Sequence, residues 1–114
     1  MPFINTKTNV AIDKKKEELL KARLGKAITT FPGKTEQWLM LEFCDNRHLW
    51  FRGENDFPMA FVEVQLLGTA TDDVCERMTR ELCKIYSEEL GISPDAIYVK
   101  FEFITEWGWN NQTF

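Results

Sequence analysis

Apolar residues recur at spacings of three and four in two charged segments of the chain, and this spacing predicts two amphipathic helices. The first begins after Asp13, and its apolar stripe is Leu20, Leu24, Ala27, Ile28 and Phe31. The second begins after Thr71, and its stripe is Val74, Met78, Leu82, Ile85, Tyr86 and Leu90. Asp13 and Thr71 suit N-cap positions, and the glycines Gly33 and Gly91 follow the two helices as breakers.

Four further segments have strand character because they are short, rich in β-branched and aromatic residues, and bounded by turn residues. They are residues 3–10, 38–43, 60–67 and 97–104. Residues 49–52 are expected to form a brief returning strand after a polar turn. The order strand, helix, glycine, strand therefore occurs twice, with an offset of roughly sixty residues that indicates a duplicated unit.

A helix between two strands of one sheet makes those strands parallel, with a right-handed crossover. The duplicated β-α-β unit therefore predicts an α+β fold, in which a four-stranded mixed sheet carries both helices on one face. All 114 residues fit one domain, residues 1–114. Nothing in the chain remains to cover the second face of the sheet, so we expect the protein to self-associate.

Composition and charge exclude several classes of protein. Apolar residues make up 44% of the chain, which is ordinary globular usage. Fourteen basic and eighteen acidic residues leave a net charge of −4, so we expect no nucleic-acid partner. No stretch approaches the ~20 apolar residues of a membrane span. The first residues lack the pattern of a classical signal peptide, so we expect a cytoplasmic protein with no membrane partner.

Cysteine and histidine usage gives no positive sign of a metal or a disulfide. The three cysteines, Cys44, Cys75 and Cys83, lack metal-ligand spacing and are expected to be free core thiols. His48 is the only histidine and lies in a polar turn, so we assign it no role. We expect neither a metal nor a cofactor.

Pro2 is the first residue with potential chemistry. Methionine before a small residue such as proline is normally removed, which would leave Pro2 with a free secondary amine that can act as a base. Taken alone, Pro2 is more simply a strand-start proline. Lys34, taken alone, is a solvated loop lysine, and Tyr98 is a routine strand tyrosine.

Five segments change this interpretation when they are taken together. They are Pro2-Phe3-Ile4, Gly33-Lys34, Phe51-Arg52-Gly53, the run from Gly91 to Tyr98, and the C-terminal Trp107-Gly108-Trp109-Asn110-Asn111-Gln112-Thr113-Phe114. In this order they resemble the macrophage migration inhibitory factor family of the tautomerase superfamily, over essentially the whole chain. The resemblance implies the tautomerase fold and a homotrimer with active sites between neighbouring subunits.

The resemblance also implies an activity, which is cofactor-independent keto–enol tautomerisation of arylpyruvates such as phenylpyruvate. Pro2 would be the catalytic base, Lys34 the active-site lysine, and Tyr98 a catalytic residue that reaches the site from an adjacent subunit. The substrate-binding residues would be Phe3, Leu67, Trp38, Lys100, Trp109 and Phe114. Burial among aromatic side chains and the charge of Lys34 would keep the Pro2 nitrogen neutral.

Three departures from the family pattern alter these expectations. Lys100 replaces the family's asparagine, so the pocket gains a positive charge and loses that residue's hydrogen bond. Residues 59–62 replace the Cys-x-x-Cys of animal members, so we expect no thiol oxidoreductase activity. Trp107 replaces a small aliphatic residue in a shortened segment, so we expect a narrower pocket mouth.

Other functions stay open at this point. The chain could be a cytokine-like or other protein-binding module on the same fold, with receptor binding and little catalysis. It could be a ferredoxin-like assembly domain without catalysis. An amino-terminal-proline decarboxylase or dehalogenase would need pocket arginines, for which Arg52 is a loose candidate. The sequence leaves open the physiological substrate, export from the cell and removal of Met1.

Overall fold

Four strands form the main sheet of this computed structural model, which describes all 114 residues. They are β1 (Pro2–Thr8), β2 (Met40–Cys44), β3 (Ala60–Leu67) and β4 (Ile97–Ile104). Their order across the sheet is β2-β1-β3-β4. The outer strands β2 and β4 run parallel to β1 and β3 respectively, and β1 runs antiparallel to β3. The predicted four-stranded mixed sheet is confirmed.

The two predicted helices are α1 (Lys14–Ala27) and α2 (Asp72–Leu90). The Asp13 carboxylate accepts a hydrogen bond from the Lys16 backbone N–H at 2.8 Å, which satisfies one free donor of the first turn. The Thr71 hydroxyl does the same for Val74 at 3.3 Å. Gly91 ends α2 in the left-handed conformation, with φ of 68°. A 3-10 turn, Ile28–Thr30, extends α1.

Both helices pack on one face of the sheet. Alternate residues of β3 are buried, whereas Phe61, Glu63 and Gln65 on the other face are partly exposed. The core is one cluster of 20 apolar residues, drawn mainly from both helices, the turn after α1, β1, β3 and the first residue of β4 with the segment before it. No element of the chain covers the second face of the sheet, which we call the open face. No helix is both long and apolar enough to cross a bilayer.

The buried polar groups of the core are paired. The hydroxyls of Thr6 on β1 and Tyr86 on α2 hydrogen-bond to each other, and both residues are fully buried. Burial raises the pKa of Tyr86 far above its ordinary value, so its hydroxyl stays protonated. The Thr8 hydroxyl donates to the Met59 carbonyl at 2.7 Å. These contacts tie the central strand to α2 and to the segment before β3.

The sequence predictions are wrong at three places. The first strand ends at Thr8 because the Asn9 side chain bonds the backbone of Phe57 and Met59, at 2.8 and 2.9 Å. Trp38 lies in a 3-10 turn, Glu36–Trp38, and β2 begins only at Met40.

Residues 49–52 form no strand of the sheet, which is the third of these errors. Arg52 and Gly53 are both in the left-handed region, with φ of 55° and 75°, and fold Phe51 back onto Glu54. A C-terminal hairpin was not predicted at all. It consists of β5 (Gly108–Trp109) and β6 (Gln112–Thr113), joined by two asparagines with φ of 50° and 64°.

We expect the single variants Tyr86→Phe and Thr6→Val each to lower the free energy of unfolding by about 1–2 kcal/mol, because each leaves one buried hydroxyl without a partner. The double variant should recover most of this loss, since it removes both hydroxyls at nearly constant shape. Urea denaturation of the four proteins measures the coupling. Single variants as stable as the parent would show that this hydrogen bond contributes nothing.

Candidate functional site

An open cavity of ≈ 530 Å³ lies at the beginning of β1. Its walls come from the amino terminus, the turn before β2 and the first residue of β2, the end of β3 and the C-terminal hairpin. Residues predicted for the substrate site that line it are Pro2, Phe3, Trp38 and Trp109. Trp107 lines it as well. We call this cavity the aromatic cleft.

Strand pairing fixes the amino terminus beside the end of β3. Pro2 is buried and lies opposite Leu66 in the antiparallel register, and the Leu67 N–H donates to the Met1 carbonyl at 3.3 Å. A proline at this first position costs the sheet little, because a strand start can do without its N–H donor. In this structure Met1 precedes Pro2, so the free amino group belongs to Met1.

Lys34 lies next to this amino group. Gly33, with φ of 79°, turns the chain after α1, and the Lys34 ammonium donates to the Leu67 carbonyl at 2.8 Å. Burial lowers the pKa of the amino terminus below its ordinary value, and the charge and hydrogen bonding of Lys34 lower it further. Leu67 therefore holds the chain start through its N–H and the lysine through its carbonyl. Lys34 itself lines a separate cavity of ≈ 300 Å³ rather than the aromatic cleft.

The aromatic wall is built by two short elements. Trp38 in the 3-10 turn meets Trp109 of the hairpin edge to face, with ring centroids 4.9 Å apart. The Phe114 ring lies 6.3 Å from that of Trp109, and its backbone closes the hairpin on Trp107 through two hydrogen bonds. Trp38, Trp109 and Phe114 are each close to half exposed, so they present apolar surface to a ligand.

Met40 and Gln65 are among the lining residues of the cleft that the sequence analysis did not assign to the site. Both lie opposite Phe3, on β2 and β3 respectively. The missing information was the strand register, which pairs these three side chains across the open face. Phe3 itself was predicted, so a correct register would have found its two neighbours.

Neither Tyr98 nor Lys100 lines the aromatic cleft of its own chain. Tyr98 pairs with Phe61, whereas Pro2 pairs with Leu66, so five residues of β3 separate them, which is about 17 Å along the strand. Tyr98 is 57% exposed and lines an entirely apolar cavity of ≈ 250 Å³, where its ring lies 4.9 Å from that of Phe51.

The remaining titratable groups form no metal centre. No three His, Cys, Asp or Glu side chains cluster as metal ligands. The three cysteines are free and partly buried, and burial raises the pKa of Cys75 and of Cys83, which keeps both as thiols at neutral pH. The Arg52 guanidinium donates to the Asp95 carbonyl at 2.8 Å and does not reach the aromatic cleft.

A duplicated β-α-β domain with a cleft at its amino-terminal strand defines a class of small α+β proteins. The family model described as macrophage migration inhibitory factor (MIF) matches residues 1–114, and the chain therefore belongs to this family. The resemblance found in the sequence is confirmed.

Individual relatives are similar to this chain over nearly their full lengths. The macrophage migration inhibitory factor of Mus musculus is 28% identical over 116 residues, covering 100% of this chain and 99% of the relative. The crystal structure of Leishmania major MIF2 is similar with a TM-score of 0.91 and 31% identity, covering 100% of this chain and 97% of that one. A homologue from Prochlorococcus marinus gives 0.83 and 27%, with 98% of each chain covered.

We expect Lys34→Gln to raise the pKa of the amino terminus, because the variant removes a positive charge that disfavours the protonated amine. The pKa should stay below its ordinary value, since burial is the larger cause of the shift. The pH dependence of reductive methylation at the amino terminus measures the change. Lys26→Gln is the matched control at the end of α1, and equal pKa values in the two variants would contradict the assignment.

Proposed function

We propose that the protein is a cofactor-independent keto–enol tautomerase of phenylpyruvate-like 2-oxo acids, with Pro2 as the general base once Met1 is removed. One observation carries the proposal: pairing of β1 with β3 holds the start of the chain beside the Lys34 ammonium and at the edge of an aromatic cleft. Family membership supports it. A cytoplasmic location is part of the same proposal.

The chemistry needs a neutral base and a positive group where negative charge develops. An ordinary α-amino group has a pKa near 8 and is mostly protonated at pH 7. Both effects that lower the pKa of the amino terminus, burial and Lys34, belong to the surroundings rather than to Met1. After loss of Met1 the amine would be that of Pro2, which is buried and lies opposite Leu66, next to the Leu67 carbonyl that accepts from Lys34.

The reaction is a proton transfer without net oxidation. The Pro2 nitrogen takes a proton from the carbon next to the 2-oxo group, and the electron pair of that C–H bond forms the enolate. Lys34 stabilises the enolate oxygen or the substrate carboxylate by its charge. Protonation of the oxygen gives the enol, and the reverse sequence gives the keto form. Trp38 and Trp109 offer a surface for the phenyl ring.

The proposed site is shared between the subunits of a homotrimer. Tyr98 lies too far from Pro2 to act on the same substrate within one chain. Both outer strands, β2 and β4, have an unpaired edge, and the open face is uncovered. Large apolar side chains are exposed, among them Met40 at 68% and Trp50 at 67%. In the arrangement that the family resemblance implies, association would cover these surfaces and place the Tyr98 end of one subunit beside the Pro2 end of its neighbour.

Replacing the base should abolish most of the activity. We expect Pro2→Gly to lower kcat/KM for phenylpyruvate ketonisation by roughly a hundredfold or more, the usual contribution of a general base. A form that retains Met1 should be equally impaired, because its Pro2 nitrogen is an amide. Ultraviolet absorbance follows the reaction, and intact mass verifies the terminus. Equal rates in all three proteins would eliminate the mechanism.

Subunit mixing tests the shared site. Pro2→Gly and Tyr98→Ala should each be impaired alone, but random mixed trimers should regain activity because about a quarter of their sites hold both native residues. Mixing Pro2→Gly with Lys34→Gln is the matched control, and it should regain nothing because Pro2 and Lys34 belong to the same subunit. Equal recovery in both mixtures, or a monomer in sedimentation at micromolar concentration, would refute the shared site.

A further inference from the structure

The open face carries a cluster of four charged side chains, Lys7, Glu63, Lys100 and Glu102. The Lys100 ammonium lies 3.2 Å from a Glu63 carboxylate oxygen and 3.0 Å from one of Glu102. The other ion pair of Glu63 joins it to Lys7, at 3.0 Å. The side chain of Glu63 is only 16% exposed, so this carboxylate is the least solvated member of the cluster. Lys100 is thus held between two carboxylates.

The position of Lys100 connects this cluster to the proposed shared site. Lys100 follows Tyr98 by two residues on β4, so both side chains lie on the same face, about 7 Å apart along the strand. A neighbouring subunit that receives Tyr98 therefore also meets Lys100 with its two carboxylates. This step rests on the proposed function.

The two lysines of the proposed site differ in their partners. The Lys34 ammonium donates to a backbone carbonyl, which is neutral, so its full charge is available to a substrate carboxylate. The Lys100 ammonium is paired with two anions. Its hydrogen bonds to Glu102 and then to Glu63 raise the pKa of Lys100, and Lys100 lowers the pKa of Glu102. Hydrogen bonds to Lys7 and to Lys100 lower the pKa of Glu63, so all three groups remain charged at neutral pH.

We propose that Glu63 and Glu102 neutralise Lys100 and thereby make the site selective for 2-oxo acids that carry a single carboxylate. A second carboxylate on the substrate would have to displace Glu102 from Lys100 and then lie beside both acidic side chains. A substrate whose far end is neutral meets no such repulsion. Glu102 acts in this scheme as a specificity-determining residue through Lys100, without touching the reacting atoms.

An isosteric pair of substrates isolates the charge effect. Para-nitrophenylpyruvate and para-carboxyphenylpyruvate have far ends of nearly the same shape, but only the second carries an added negative charge. We expect the parent protein to prefer the nitro compound in kcat/KM. Glu102→Gln should shift the ratio towards the carboxy compound by about fivefold, as for the loss of one partly exposed charge. Lys100→Gln should shift it in the opposite direction.

Two further variants complete the design. The double variant Lys100→Gln/Glu102→Gln should return the ratio close to that of the parent, because it restores the net charge. Glu76→Gln, on the exposed side of α2, changes the total charge equally at a remote place and should leave the ratio unchanged. A ratio that moves neither in Glu102→Gln nor in Lys100→Gln would overturn the inference.

The outcome separates this inference from the proposed function. An unmoved ratio combined with turnover that depends on Pro2 leaves the tautomerase proposal intact and removes only the selectivity. Turnover that does not depend on Pro2 removes the tautomerase proposal. In that case the dissociation constants of the two compounds, measured by quenching of tryptophan fluorescence in the same variants, test the selectivity. A ratio of dissociation constants that shifts in Glu102→Gln supports the inference. An unshifted ratio, or no binding of either compound, overturns it.

Discussion

The antiparallel pairing of β1 with β3 is the contact on which the candidate site depends. It places the start of the chain against the end of β3, where Leu67 donates its N–H to the Met1 carbonyl and accepts the Lys34 ammonium. A strand end offers free backbone groups of both kinds, so one residue can hold two others without any side-chain chemistry. The pairing therefore brings an amine beside a cation, and the cation disfavours the protonated form of that amine.

The two faces of the sheet differ in composition and in what they contribute to the protein. The helix-covered face is apolar, and its few buried hydroxyls are paired, so it supplies most of the stability and fixes the strand positions. The open face carries aromatic rings and charges. Monomeric proteins rarely leave large apolar side chains exposed in this way, so this face is suited to contact with another molecule. Under the proposed function, substrate binding and association share the open face, while folding depends on the other face.

The sequence predicts those elements best whose ends are marked by residues close to them in the chain. Residues 60–67 and 97–104 were predicted with the bounds of β3 and β4, because both are rich in β-branched and aromatic residues, Gly68 ends the first and Pro94 precedes the second. The helix starts followed from the caps Asp13 and Thr71. The errors at 49–52 and in the C-terminal hairpin arise from residues with positive φ that are not glycine, which the sequence pattern does not reveal.

The site was less predictable than the fold, and the first reason is the strand register. Met40 and Gln65 were missed because the register that pairs them with Phe3 is set by the whole sheet, not by local sequence. The resemblance did group Pro2, Lys34, Phe3, Trp38 and Trp109, and the structure places all of them at the start of β1 or beside it.

The second reason concerns Tyr98 and Lys100, for which the resemblance implies a site shared between subunits. Hydrogen-bonded strands hold Tyr98 at the far end of the sheet from Pro2 and Lys100 in its middle, opposite Glu63, and no loop motion can change positions that four paired strands maintain. If the two ends act on one substrate, they must come from different subunits. Under this proposal each subunit supplies the base and Lys34 to one site, and Tyr98 with the neutralised Lys100 to another. Dissociation would then separate the two halves of every site while leaving each chain folded.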